Sequence, residues 1–115
     1  KFQKNSNIHL VLIGDGTELN ILKKLVSEKQ ITNVSFISKK PMNKISQYLG
    51  LADVLILHLI ENEVFKLQMP SKLIAYMAVQ KPILCAFEGT AAKIVNNTNS
   101  GITCKSSNED EIFLV

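Results

Sequence analysis

The stretch "FKLQMPSK" (65–72) brings together a proline, a hydroxyl and two lysines. Pro70 removes a backbone donor where a helix would start, and Ser71 can cap it. The amides from about Lys72 onward then carry a partial positive charge of roughly half a unit. A helix start of this kind holds anions, and Lys66 and Lys72 add the charge that would suit a pyrophosphate. A capped helix with two solvated lysines accounts for the same residues. In "GDGTE" (14–18), Gly14 and Gly16 allow positive φ or close approach of a ligand to the backbone. The dinucleotide fingerprint Gly-x-Gly-x-x-Gly fails there because position 19 is Leu, and a plain βα turn with Thr17 as helix cap remains the simpler account. His58, Glu61, Glu63 and Glu88 are titratable groups near "FKLQMPSK", but no pair has a spacing that argues for general acid and base roles. A lone His is more often structural, and such acids are more often solvated. Ser-His-Asp, Cys-His and phosphate-loop patterns are absent, which argues against a hydrolase or kinase.

Apolar runs that alternate with helical stripes must position these groups. "IHLVLIG" (8–14), "NVSFIS" (33–38), "ADVLILHL" (52–59), "KPILCAF" (81–87) and "GITCK" (101–105) read as strands. Helices are predicted over 17–29, with Leu19, Leu22, Leu25 and Val26 on one face, and after Pro41, with Met42, Ile45 and Leu49 in register. Two more are predicted over 70–80 and 90–96, with 60–69 as a loop. The strands are continuous apolar runs without period-two alternation, so both sheet faces should be covered. This predicts an α/β fold, a Rossmann-like doubly wound parallel sheet. Ligands bind such sheets outside the carboxyl ends of the strands, here residues 14–17, 38–41, 58–71 and 88–90. His9 opens a strand at the opposite edge.

At 115 residues the chain is one domain at most, 1–115, long enough for a single core but short for a complete enzyme of most α/β classes, and is expected to be a domain or a piece of one. It begins without Met, and its last segment opens a helix-start signal, Ser107 followed by Asp110, that is then cut short. The composition, 46% hydrophobic and 20% charged, is globular, and no apolar run approaches the roughly 18 residues of a membrane span. The net charge is +3, with 13 lysines and no arginine. Scattered lysines without Arg argue against specific nucleic-acid binding. Cys85 and Cys104 lie in apolar strands, as buried thiols of a reducing compartment do, and no metal-ligand spacing involves them. The glycosylation triplets at Asn33 and Asn96 are short enough to arise by chance in an Asn-rich chain.

In order and spacing, "LVLIGDGTE…LKKL", "NVSFIS" with Pro41 after it, "ADVLILHL", "FKLQMPSKLIAYMAVQKPIL", "EGTAAKIV" and "SGITCK" resemble the C-terminal domain of GT-B glycosyltransferases. The resemblance is closest to the large family four of retaining enzymes. It covers essentially the whole chain, and is strongest to the branch that builds bacterial capsular, O-antigen or other cell-surface polysaccharides. There a block F-R/K-x-x-x-P-S-K-x-x-E-Y-M-A precedes G-K/R-P-I. The resemblance implies that this domain holds a nucleotide-sugar donor, UDP- or GDP-type, with no separate cofactor or metal. It places the donor diphosphate at Lys66, Pro70, Ser71 and Lys72, the nucleotide beside Gly14 and Gly16, and the base along the segment after Phe36. Ribose or sugar contacts would fall to His58, Glu63, the Ala75 position, Glu88, Gly89 and Thr90.

Two departures stand out. The family usually has Glu where this chain has Ala75, and a carboxylate there accepts hydrogen bonds from the donor ribose. The companion acid of the Glu-x7-Glu pattern falls at Leu67, a loss less telling because the polysaccharide branch often lacks it. A charged hydrogen bond is worth about 1.5–3 kcal/mol, so weaker donor binding is expected unless Glu63 or His58 substitutes. The family's domain also begins with a further strand near the middle of the sheet and a helix carrying an Arg and a Lys on the diphosphate. The sequence contains neither, so a gap in the sheet is expected, closed by re-pairing or by a second chain in an oligomer. The acceptor, a saccharide or lipid-linked saccharide, would sit on a missing N-terminal domain, so the fragment alone is expected to be inactive. The full protein is expected in the cytoplasm, at the membrane face. A catalytically silent binding or scaffold module and a nucleotide-sugar epimerase are the alternatives.

Overall fold

The computed structural model describes residues 7–60 and 62–105. The helix-start signal at Ser107 and the acid Glu61 lie outside the described residues. Contacts divide the chain into two compact units, residues 1–42 and 43–115. Every strand pairing within them is parallel, and strands alternate with helices, so the fold is α/β and Rossmann-like.

The first unit is a strand, helix, strand crossover. β1 (Leu10–Ile13) pairs with β2 (Val34–Ile37) from Leu10↔Val34 to Ile13↔Ile37, and α1 (Leu19–Glu28) connects them. Hydrogen bonds extend the ladder at both ends, from Leu10 N to Asn33 O at 2.9 Å and from Gly14 N to Ile37 O at 3.0 Å. α1 stops where Gln30 takes φ +51°, with Gln30 N bonded to Ser27 O and Ile31 N to Val26 O. That is a Schellman turn, with Gln where Gly is usual. No described residue of this unit is buried. The predicted apolar stripe on α1 forms, yet Leu22 and Leu25 remain 41% exposed.

The second unit opens with α2 (Met42–Gly50), whose first residue belongs to the first unit. β3 (Leu55–His58), β4 (Ile83–Ala86) and β5 (Gly101–Cys104) then form a parallel sheet with β4 in the centre. α3 (Glu63–Leu67) and α4 (Ser71–Ala78) connect the first pair, and α5 (Thr90–Asn97) the second. Leu57, Ile83, Cys85 and Phe87 meet Leu73 of α4 and Ala91 and Val95 of α5 in one buried cluster. Burial of these side chains is the main favourable term for the unit, about 1.5–3 kcal/mol for each large one. α5 closes like α1, with Asn99 at φ +51° and Ser100 N on Val95 O.

Two expectations change. Residues 60–69 are not all loop: α3 forms because Asn62 caps it, its Oδ1 accepting from Val64 N at 2.8 Å. The expectation that both sheet faces are covered holds for one face of the second unit's sheet only. β3 alternates buried and exposed, with Leu55 and Leu57 inside and Ile56 and His58 out, and Ile102 on β5 is also exposed.

Candidate functional site

The register His58↔Ala86↔Cys104 ends the three strands of the second unit level, so the segments after β3 and β4 leave from one edge of the sheet. α3 is fixed there from two sides. At its start Asn62 caps it, and Lys66 N bonds Asn62 O at 3.0 Å. At its end it lies against the turn after β4. Gly89 takes φ +113°, and a Cβ at that position would run into the backbone of Lys66. Thr90 Oγ1 donates to Leu67 O at 3.4 Å. Only glycine fits this turn, because both the conformation and the space exclude a side chain.

This packing leaves the Lys66 side chain only 26% exposed and brings its ammonium to two acids. Nζ lies 2.9 Å from Glu63 Oε1, one turn back on α3, and 4.0 Å from Glu88 Oε2, beside Gly89. The structure thus gathers five of the sequence-predicted residues: Lys66, Glu63, Glu88, Gly89 and Thr90. The Glu63–Lys66 spacing is the ordinary helical one, whereas Glu88 joins only through the fold.

Ser71 is not the cap of α4. Pro70 takes that position with φ −65° and ψ 134°, Ser71 is the first helical residue, and no side chain bonds the helix start. The reason is local: proline favours the extended ψ of a cap residue, and Ser71 then falls inside the helix. Leu73 N bonds Pro70 O at 3.0 Å, so the amides of Ser71 and Lys72 are those without an intrahelical partner. Leu73, fully buried, anchors the helix, and Lys72 is exposed. Ala75 is half-buried on the same helix. Next to it, the Tyr76 hydroxyl donates to Ile56 O of β3 at 3.3 Å, and burial raises its pKa. His58 ends β3, exposed, at the same sheet edge as Glu88.

The glycine turn belongs to the first unit. Gly14 takes φ +145°, and a Cβ at Gly14 or Gly16 would meet nothing within 4 Å. Thr17 does not cap α1: Glu18 stands at the cap position, without a side-chain cap bond, after Leu19 N closes a turn on Gly16 O at 3.0 Å. A residue the sequence did not single out fastens this turn, since Asp15 Oδ2 accepts from Lys39 N at 3.2 Å. An acid between two glycines is the signal that was available. His9 bonds Ser35 Oγ at 2.8 Å near the opposite ends of the strands. Cys85 is buried and its thiol is pushed up to about 11, by burial first, then by nearby Cys104. Neither cysteine is in a disulfide. Among the described residues no group of three or more acids, His or Cys is placed to hold a metal ion. No helix among them is long and apolar enough to cross a membrane.

The family described as "Glycosyl transferases group 1" matches residues 1–113. A curated relative, "Probable glycosyltransferase WbjE" of Pseudomonas aeruginosa, is 32% identical over 103 residues. The match covers 88% of this chain and 26% of the relative, so the chain spans about a quarter of that protein's length. No solved structure matches. The family match runs from the first strand through the acid-flanked Lys66 to the last strand, and the chain belongs to the group 1 glycosyltransferases.

Proposed function

We propose that the chain is the nucleotide-sugar-binding part of a retaining glycosyltransferase that passes a sugar from a UDP- or GDP-type donor to a cell-surface polysaccharide or lipid-linked saccharide. The observation that carries this reading is the fixed position of Lys66 at the carboxyl edge of the second unit, where Gly89 packs on its backbone and Thr90 bonds the carbonyl of Leu67 beside it. As the bond between sugar and diphosphate breaks, negative charge grows on the departing oxygen. Lys66, Lys72 and the first amides of α4 are the groups to stabilise it. The contribution is positioning and electrostatics, with no protein nucleophile. The acceptor and the rest of the catalytic machinery belong to other parts of the protein.

Ala75 favours a second reading, a binding module that has kept the fold and lost donor affinity, because a methyl group accepts no hydrogen bond from a ribose. Calorimetric titration of the intact protein with UDP and GDP separates the two. Binding is expected, tightening in Ala75→Glu, and weakening with strong salt dependence in Lys66→Ala and Lys72→Ala but not in Lys93→Ala. Binding by neither the natural form nor Ala75→Glu would overturn the donor-site reading in favour of the silent module.

A further inference from the structure

Lys66 is not presented to solvent as an open cation. Its ammonium lies between Glu63 and Glu88, at 2.9 and 4.0 Å, and the three side chains together carry one net negative charge. The two acids differ. Glu63 is 89% exposed on α3 and can swing away at little cost, whereas Glu88 is 43% exposed and adjoins the fixed Gly89 turn. An anion that reaches Lys66 therefore competes with these carboxylates for the ammonium, and of the two Glu63 is the more exposed and the freer to yield.

We propose that Glu63 and Glu88 act as counter-ions of Lys66 that set donor affinity, with Glu63 as a displaceable latch and Glu88 as a positioning residue. This inference rests on the donor-site reading. Glu63 is then a competitor of the diphosphate rather than a contact of the ribose. A singly charged anion gains little by exchanging for one carboxylate, while a diphosphate offers several oxygens and more charge to replace it. The latch thus favours diphosphates over simple anions. Glu88 keeps the ammonium at the sheet edge after Glu63 has left.

The test has two arms on the intact protein. In the first, each lysine is labelled with acetic anhydride and the rates are read by peptide mapping, with Lys72 as internal reference. Glu63→Gln is expected to change the Lys66 rate relative to Lys72 at least two-fold, and an unchanged ratio would overturn the latch. In the second, UDP and GDP are titrated calorimetrically. An exposed ion pair is worth up to about 1 kcal/mol, so Glu63→Gln should tighten binding roughly two- to five-fold. The gain should vanish when Lys66→Ala is present as well, which a general loss of negative charge would not produce. Glu88→Gln should weaken binding instead. Nucleotide binding that Glu63→Gln leaves unchanged or weakens would overturn the latch alone. Binding by no variant would overturn the donor-site reading and the latch with it.

Discussion

The two units use the same sequence grammar, apolar strands around an amphipathic helix, with opposite results. In the second unit Phe87, Leu73, Cys85, Ala91 and Val95 are fully buried. In the first, β1 keeps Leu10, Val11 and Leu12 between 36% and 46% exposed, and α1 keeps Ile21 at 61%. The difference is one of layers. Two strands and one helix cannot cover both faces of a parallel sheet, while three strands under two helices can seal at least one. Apolar periodicity therefore reports where side chains point, not how much cover they find. Among the described residues of the first unit none is buried, and its glycine turn is tied to Lys39 through the Asp15 carboxylate.

The largest effect that would sharpen this contrast is expected at Phe87. Truncation to Ala opens a cavity in the sealed cluster and should cost about 3–5 kcal/mol in a denaturant titration. A loss under about 1 kcal/mol would mean that the second unit is no better packed than the first. Next come the two positive-φ glycines. Gly14→Ala meets only backbone strain, about 1–3 kcal/mol, because the space around it is open. Gly89→Ala adds a collision with the Lys66 backbone and should cost more. Equal losses at the two positions would remove the argument that Gly89 fixes α3.

A pH effect comes third. Burial raises the Cys85 thiol from 9.0 to about 11, so the folded chain keeps its proton while the unfolded chain gives it up. The stabilisation is complete below about pH 9 and is lost as pH rises through about 11, with a slope of at most about 1.4 kcal/mol per pH unit for one proton. Tyr76, also raised by burial, adds a loss of the same sign above pH 10. Urea titrations between pH 8 and 11 should show a shallower decline in Cys85→Ala than in the natural form. Parallel declines would place the titrating group elsewhere.

Much of this architecture was legible because strands and long helices announce themselves by apolar runs and stripes. The five strands among the described residues all lie inside the stretches read from the sequence. What escaped was set by single residues or by the fold. α3 is too short to show a period, although Asn62 followed by Glu63 was a start signal in plain view. Ser71 and Thr17 looked like caps by type, but Pro70 and Glu18 took those positions because cap identity follows backbone angles rather than composition. Of the candidate site, Lys66 and Glu63 were singled out separately, but their helical spacing was hidden because 60–69 read as a loop. Glu88 was readable only as an acid near the right edge, since its meeting with Lys66 spans the whole of α4 and β4.

The smallest expected effect tests the comparison from its other side. Ile21 is a large apolar residue on α1, yet at 61% exposure it makes little of the contact that would render it costly to replace. Ile21→Ser should therefore change stability by no more than about 0.5 kcal/mol, within the range of surface substitutions. Hydrogen exchange offers the matching local measurement, with α1 amides expected to exchange faster than those of β4. If Ile21→Ser instead costs as much as a core truncation, and α1 exchanges as slowly as β4, the side chain must be covered in solution by protein outside the first unit. The poor packing of the first unit would then reflect what lies around it, and its apolar stripe would be an interface rather than a core left incomplete.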